Sequence, residues 1–457
     1  MKRPLPILIH LLVLLALSAC GLVKTSPSPM PSAAPTTPPS RLPDPDDVKP
    51  LLVQLVDVEK RAPGIVVGMI ADDPQERWVI GYGRLSATDE RVPDGDTVFE
   101  IGSISKVFTG ILLAQAVVNG EVQLDDPISM YLPEGVAPEY EGRSITLLDL
   151  ATHTSGLPGN PDTALYTREQ MYAFLSSYLL PREPGSSYEY SNYGMGLLGN
   201  ILAQEAAQAD YEALLLERIC RPLGMDSTRV QLSAEMQSRL AVPHTASLAQ
   251  TRLWNNPNMA GAGMIRSTAN DLLTFLAANM GLTETELQPV LQLANTPQRP
   301  TVGDDTIGLG WQVAATTGFH YHGGRTMGSY SYLAWDPERK FGVVVLANVE
   351  VDNDYVVRQL ISTLPFALVP DAPKDVASYA GGYQLPDGSI VTIRVDGTHI
   401  FLQLPGEPEY EIFAGSESHF FLPVSDLEIT FYRNDRGEVD RAVGTVGGVA
   451  YEGMKVP

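Results

Sequence analysis

The sequence predicts an α/β domain followed by a smaller all-β domain. Runs dense in β-branched and aromatic residues predict strands near both ends of the larger unit, at 64–70, 77–83, 330–335 and 341–348. The middle of that unit mixes loops with runs of helical apolar spacing, and a closing helix is predicted at 355–364. After residue 376, short alternating strands separated by Gly and Asp turns predict a small antiparallel sandwich or partial barrel. We therefore expect domains at 46–368 and 374–457.

The first 19 residues have the organisation of an export signal. Two basic residues precede an apolar run at 5–17, which is shorter than the roughly 20 residues of a membrane span. The run ends in LSACG, which resembles a bacterial lipobox. The resemblance implies cleavage before Cys20 and acylation of its thiol. The alternative is an ordinary signal peptide cleaved after Ala19. Both place the mature protein outside the cytoplasm, and the lipobox implies a lipid anchor in the bacterial cell envelope.

Residues 20–45 predict a tether between that anchor and the folded domains. The stretch KTSPSPMPSAAPTTPPSRLPDP is rich in Pro, Ser and Thr. Such a composition has too little apolar surface to fold and favours an extended chain.

Composition and charge are typical of a globular protein and argue against nucleic acid as a partner. Of the 457 residues, 44% are hydrophobic and 19% are charged, as in folded domains. The formal net charge of -23 would repel a phosphate backbone. The sequence has no Gly-x-Ser-x-Gly, His-Glu-x-x-His, Walker or dinucleotide-binding glycine pattern. We expect neither a metal nor a cofactor.

The first candidate for chemistry is the run Ser103-Ile104-Ser105-Lys106. Residues three apart on a helix are neighbours, and an amine whose pKa is lowered by burial can take the proton of a serine hydroxyl. A helix that begins at Ser103 also directs its first N–H groups at an oxyanion. Lys106 is the only one of eight lysines with a serine three residues before it. The alternative is a surface lysine near a helix start.

The second candidate is Tyr190-Ser191-Asn192, between a Pro/Gly-rich approach and an apolar helical run. A phenol can shuttle a proton between a serine oxygen and a leaving group where cations lower its pKa. Asn192 offers a donor and an acceptor to a substrate amide. The alternative is a buried aromatic ring beside a helix-capping Asn.

The third candidate is His322-Gly323-Gly324-Arg325, just before the strands at 330–335 and 341–348. Its glycines leave room for a substrate to approach the backbone. The N–H of Arg325 or a neighbour can supply a second oxyanion donor. The alternative is a glycine loop with an incidental histidine.

Together these segments resemble the serine β-lactamase and penicillin-binding-protein superfamily, specifically its class C β-lactamase-related branch. The likeness covers about residues 48–365. The matching runs lie at 99–110 around the nucleophile, at 184–194 around Tyr-x-Asn, and at 148–157, 221–225 and 261–264.

The resemblance implies an antiparallel sheet flanked by helices, a helical lobe over the site, and an acyl-enzyme on Ser103 that water hydrolyses. Lys106 and Tyr190 would be the other catalytic residues, and Asn192 and 322–325 would bind substrate. The tail from about 376 resembles the small β domains that often follow such hydrolase units.

One departure from the branch concerns substrate choice. Its β-lactamases usually carry Lys-Thr-Gly where this chain has His322-Gly323-Gly324. Histidine replaces a permanent cation with a group that titrates near pH ~6.5, and glycine removes a hydroxyl that would bind a carboxylate. Histidine at this position is found in related DD-peptidases, D-aminopeptidases and esterases.

The sequence therefore leaves several functions open. Within an active hydrolase, peptidoglycan stem peptides compete with small esters as substrates. The peptide activities are those of a D-Ala-D-Ala carboxypeptidase or endopeptidase and of a D-aminopeptidase. A true class C-like β-lactamase is one alternative. A low-turnover penicillin-binding or sensory module, with the β tail as its interaction element, is the other. The oligomeric state stays open.

Overall fold

The structure is a computed structural model of the chain. It describes residues 42–160, 167–301, 305–315, 318–350, 375–397, 399–407, 409–414, 418–421, 427–434, 436–446 and 449–456. The predicted signal peptide, Cys20, almost all of the predicted tether and the helix predicted at 355–364 lie outside the described residues.

The strands described before residue 350 are β1 (Gly64–Ile70), β2 (Arg77–Gly83), β3 (Phe99–Glu100), β4 (Glu139–Tyr140), β5 (Arg143–Ser144), β6 (Arg266–Ser267), β7 (Arg299–Pro300), β8 (Thr306–Ile307), β9 (Gln312–Val313), β10 (His320–Arg325), β11 (Tyr330–Asp336) and β12 (Phe341–Ala347). Among them, β1, β2, β10, β11 and β12 have six or seven residues and the others have two.

The α-helices are α1 (Pro45–Val53), α2 (Ser105–Val118), α3 (Leu147–Ala151), α4 (Arg168–Ser177), α5 (Asn192–Glu205), α6 (Tyr211–Leu215), α7 (Arg221–Leu223), α8 (Ala234–Ser238), α9 (Ala260–Gly263), α10 (Ala269–Asn279) and α11 (Gln288–Asn295). Single 3₁₀ turns occur at Gly102–Ile104, Ile128–Met130, Pro257–Met259 and Val376–Tyr379, and π turns at Gln54–Val58 and Leu216–Cys220.

An eight-stranded antiparallel sheet forms the centre of the larger unit, in the order β2-β1-β12-β11-β10-β9-β8-β7. Strand β1 is buried along its whole length, and its side chains alternate between two apolar cores. Val66 and Ile70 pack with α2 and α10 on one face, whereas Ile65 and Val67 pack with α1 on the other. The predicted α/β class, with an antiparallel sheet flanked by helices, is therefore confirmed.

A closed eight-stranded barrel forms the C-terminal part of the chain. Its strands pair in chain order, and the last closes against the first. An apolar core of its own fills the barrel. The all-β tail is therefore confirmed, although the barrel is closed and the sequence predicted a sandwich or a partial barrel. The strands are β13 (Gly381–Gln384), β14 (Ile390–Asp396), β15 (His399–Gln403), β16 (Glu409–Ala414), β17 (His419–Phe421), β18 (Glu428–Arg433), β19 (Val439–Val446) and β20 (Val449–Val456).

The described residues contain neither a membrane-spanning helix nor a cluster of metal-ligating side chains. None of the helices described is both long and apolar enough to cross a bilayer. Among the same residues, no group of three or more His, Cys, Asp or Glu side chains is arranged to hold a metal ion.

A buried ion pair fixes the chain just ahead of Ser103. Glu100 and Arg266 lie on the paired strands β3 and β6, and their charged groups are 3.2 Å apart at 3% and 5% side-chain exposure. Glu100 also accepts hydrogen bonds from the Trp254 N–H at 2.8 Å and from the Thr326 hydroxyl at 2.8 Å. These bonds supply the partners that a buried carboxylate needs, and they join β3 to the end of β10.

Gly324 lets β10 lie directly against the turn that carries Ser103. A Cβ atom at Gly324 would lie 2.1 Å from the Ile101 carbonyl oxygen and 2.2 Å from Ser331 Oγ. The Ser331 hydroxyl donates to that same carbonyl at 2.8 Å. A Cβ atom at Gly323 would meet only Tyr332 Cδ2, at 3.9 Å.

We therefore expect Gly324→Ala to lower the melting temperature and Gly323→Ala to leave it nearly unchanged. Overpacking at a close backbone contact costs about 1–3 kcal/mol, whereas the neighbouring position has room for a methyl group. Thermal unfolding of both variants beside the wild type measures the difference. Equal melting temperatures for Gly324→Ala and the wild type would contradict this close contact.

Candidate active site

Three of the predicted residues meet at one oxygen atom. The Lys106 amine lies 2.9 Å from Ser103 Oγ, and the Tyr190 hydroxyl donates to the same oxygen at 2.7 Å. Ser103 lies in the 3₁₀ turn Gly102–Ile104, and α2 begins two residues later. The helix therefore starts later than the sequence predicted, but the turn keeps the two side chains of Ser103 and Lys106 together.

Lys106 is in the first turn of α2 and is fully buried. Its amine donates to the Ala262 carbonyl at 2.6 Å. No carboxylate forms an ion pair with it among the described residues. Burial alone therefore lowers the pKa of Lys106 well below its usual 10.5. A neutral amine has a lone pair that can accept the serine proton.

Tyr190 differs from its prediction in one electrostatic respect. We predicted that cations lower the pKa of the phenol. Burial of the hydroxyl instead raises the pKa of Tyr190 above its usual 10.0. The Lys106 nitrogen lies 4.7 Å from the centre of the ring, but burial disfavours its charged form as well. Tyr190 is thus a neutral phenol that can donate its proton.

Ser191, and not Asn192, caps helix α5. The Ser191 hydroxyl accepts from the Gly194 N–H at 2.9 Å, so the capping alternative does not apply to Asn192. The Asn192 amide is half-buried and donates to Asn160 Oδ1 at 3.1 Å. Asn192 follows Tyr190 by two residues and is the first residue of α5.

The backbone of Arg325 is at an uncovered sheet edge. Because the Thr326 N–H donates to the Ser329 carbonyl, and bonded pairs alternate along antiparallel strands, the Arg325 N–H points away from β11. On that side β9 pairs with β10 only at His320 and Tyr321.

The same N–H group is next to the serine turn. A Cβ atom at Gly102 would lie 2.6 Å from the Arg325 nitrogen, and Gly102 has a φ of +47°, a conformation that favours glycine. The Ser103 N–H is in the first turn of a helical segment, where N–H groups have no intrahelical acceptor. The Ser103 and Arg325 N–H groups are therefore the candidate oxyanion donors at this turn.

The side chains of His322 and Arg325 leave β10 on opposite faces, because side chains alternate along a strand. His322 is buried and Arg325 is exposed. His322 Nδ1 lies 2.7 Å from the Gly323 carbonyl oxygen. That nitrogen therefore carries the proton, since a carbonyl only accepts. Burial lowers the pKa of His322 to about 3. The structure thus brings the imidazole of His322 and only the backbone of Arg325 to the site.

Two contacts of the site were not singled out from the sequence. One is the Ala262 carbonyl, a backbone acceptor that no residue type identifies. The other is His153, which is fully buried with its ring centre 4.6 Å from that of Tyr190. His153 lies in the 148–157 run that resembles the superfamily. The resemblance of this run to the superfamily could have identified His153 as a site residue, but it indicated no role for the side chain.

Comparison with known families covers most of the chain. The family model described as Beta-lactamase matches residues 48–364. A second model, described as a domain of unknown function (DUF3471), matches residues 368–445.

Similar proteins and solved structures also indicate the beta-lactamase family. The chain is 30% identical over 305 residues to a D-alanyl-D-alanine-carboxypeptidase/endopeptidase, AmpH, of Escherichia coli K12, covering 61% of this chain and 78% of that protein. It is 27% identical to a beta-lactamase of the same strain, covering 65% and 86%. A crystal structure of a class C beta-lactamase from Rhodobacter sphaeroides matches with a TM-score of 0.61 and 26% identity, covering 69% of this chain and 98% of that one.

A match over more than half of the chain, a shared fold and a buried Ser-x-x-Lys pair in contact with a tyrosine agree with the resemblance found in the sequence. The chain belongs to the beta-lactamase family and is a serine hydrolase.

Proposed function

We propose that Ser103 is the nucleophile of an acyl-transfer reaction, that Lys106 is its base, and that Tyr190 shuttles the proton. The observation that carries this assignment is the convergence of the amine and the phenol on Ser103 Oγ, at 2.9 Å and 2.7 Å. A candidate base must lie within hydrogen-bond reach of the proton that it takes. Both groups do.

Acylation follows from these protonation states. The Ser103 oxygen bonds to the carbonyl carbon of the substrate while its proton passes to the neutral Lys106 amine. The Ser103 and Arg325 N–H groups stabilise the oxyanion that forms. As the bond to the leaving group breaks, the Tyr190 hydroxyl protonates the leaving atom and regains a proton from the Lys106 ammonium.

Deacylation uses the same groups with water as the nucleophile. Water attacks the ester carbonyl, and its proton passes to the Lys106 amine by way of Tyr190. The Ser103 oxygen then leaves the carbonyl carbon and takes that proton back. The products are the free acid and the regenerated enzyme.

We propose peptides of the D-Ala-D-Ala type, as in peptidoglycan stem peptides, as the substrate class. The relative named as a carboxypeptidase/endopeptidase supports it. The half-buried Asn192 amide offers donor and acceptor groups to a peptide bond. An extended peptide can also lie along the edge of β10 that β9 leaves uncovered.

Small esters are the second candidate, and the charge of the site favours them. His322 is neutral because its pKa is about 3, Lys106 is neutral, and the Arg325 side chain leaves the strand on the other face. None of these three side chains thus replaces the lysine that β-lactamases of this branch carry. This charge pattern favours esters without a free carboxylate next to the scissile bond, and it disfavours both β-lactams and terminal D-Ala-D-Ala peptides, which carry one.

We also propose that the mature protein is lipid-anchored to the bacterial cell envelope through Cys20. The lipobox-like LSACG and the Pro-rich run that follows it support this location.

The mass of the protein after brief incubation with each of three probes tests the assignment and the substrate class. The probes are a D-Ala-D-Ala peptide, p-nitrophenyl acetate and benzylpenicillin. We expect an adduct on Ser103 that turns over with the peptide or the ester, and none in Ser103→Ala. Lys106→Met should slow acylation about 100- to 10,000-fold, as loss of a general base does. The exposed Lys60→Met is the matched control.

Each outcome of this experiment distinguishes between the candidates. Turnover of the peptide supports the peptidase, and turnover of the ester alone supports the esterase. A stable penicilloyl adduct without turnover of the peptide or the ester would favour a binding module. Rapid hydrolysis of penicillin would favour a true β-lactamase. A Lys106→Met variant that acylates at the wild-type rate would exclude the lysine as base.

Fractionation of cells that express the full chain tests the anchor. We expect the wild type in the membrane fraction with an acylated Cys20, and Cys20→Ala in the soluble fraction, because a thiol is required for acylation. An unmodified Cys20 in the wild type, or a mature chain that begins at Cys20 without lipid, would contradict the anchor.

A further inference from the structure

His153 holds the loop of Tyr190 from both sides. Its backbone carbonyl accepts from the Glu189 N–H at 2.7 Å. Its ring Nδ1 accepts from the Ser191 N–H at 3.2 Å. One residue thus binds the main chain immediately before and immediately after Tyr190.

The imidazole also packs between two alternate side chains of that loop. Its centre lies 4.6 Å from the Tyr190 ring, at an interplanar angle of 40°, and 5.8 Å from the Tyr188 ring, edge to face at 87°. Aromatic pairs at such separations attract each other. The ring therefore restricts the phenol sideways while the two hydrogen bonds restrict its backbone.

The bond to Ser191 defines the protonation of the ring. A backbone N–H only donates, so Nδ1 must present its lone pair and the proton of the neutral ring is on Nε2. Protonation at Nδ1 would break the bond. Burial lowers the pKa of His153 well below its usual 6.5, so the acceptor persists at neutral pH.

The backbone of His153 indicates that this geometry is maintained at a cost. Its φ is +56°, in the left-handed region that non-glycine residues seldom adopt. Its Nε2 is buried and has no hydrogen-bond partner within the described part of the chain. A purely structural position would favour an apolar ring and a relaxed backbone.

We propose that His153 is the positioning residue of Tyr190, keeping the phenol within reach of Ser103 Oγ. The proposal rests on the proposed function, in which Tyr190 shuttles the proton. It assigns to His153 no contact with the substrate. The Nδ1 acceptor and the ring are the two parts through which it acts.

A double-mutant cycle tests the proposal, with the burst of p-nitrophenolate from p-nitrophenyl acetate as the measure of acylation. His153→Phe keeps a ring between the tyrosines but removes the acceptor. We expect acylation to slow by on the order of 10- to 100-fold, the effect of a displaced catalytic group, with little change in KM. In a Tyr190→Phe background the same substitution should slow acylation by less than a further factor of about three, because the effects of residues that act as a unit are not additive.

His153→Asn is the matched rescue variant. Its Oδ1 can take the place of Nδ1 as acceptor, and Asn tolerates a positive φ. We expect its acylation rate to lie much closer to the wild type than that of His153→Phe, at a similar or lower melting temperature. Should His153→Phe fail to fold, the Asn variant still decides: a loss of 10-fold or more would overturn the hydrogen bond as the anchor.

The remaining outcomes separate this proposal from the proposed function. An equal loss from His153→Phe in both backgrounds would overturn the action through Tyr190 and leave the roles of Ser103, Lys106 and Tyr190 intact. A Tyr190→Phe variant that acylates at the wild-type rate would remove the proton shuttle and, with it, the positioning role. Wild-type acylation in His153→Phe would overturn the positioning role alone.

Discussion

The chemistry of the site depends on burying a lysine amine that has no counter-ion among the residues the structure describes. Lys106 is among the largest fully buried side chains of the protein, and its amine contacts a carbonyl oxygen and a hydroxyl, at Ala262 and Ser103. Burial disfavours a charged ammonium in such a place and lowers the pKa of the amine well below its usual 10.5. In its neutral form the amine presents a free lone pair to the serine hydroxyl.

Close backbone packing makes that environment possible. A Cβ atom at Gly110 would lie 1.8 Å from the Leu309 carbonyl oxygen, and one at Gly261 would lie 2.9 Å from Thr109 Oγ1. The Thr109 hydroxyl donates to the Gly261 carbonyl at 2.7 Å, next to the Ala262 carbonyl that binds Lys106. Small residues thus let α2 contact its neighbours closely enough to exclude solvent from the amine.

Residue type and spacing predicted those parts of the fold and site that depend on local chemistry. The strands at 64–70 and 77–83 were placed correctly because β-branched and aromatic residues suit a sheet, and the pairing of Ser103 with Lys106 follows from helical spacing. The role of the Ala262 carbonyl depends on tertiary packing, as do the raised pKa of Tyr190 and the closure of the barrel. No local pattern encodes them. The exposed Arg325 side chain was one of several possibilities that only strand pairing could settle.

The ionisation of Lys106 is the most direct test of this mechanism. The chain has eight lysines, few enough to follow by NMR titration of lysine labelled with ¹³C at Cε. Burial predicts one resonance that titrates well below pH 10.5 and that is missing from Lys106→Met. If every lysine in the folded protein titrated near its ordinary pKa, the amine would be charged at neutral pH and could not serve as the base.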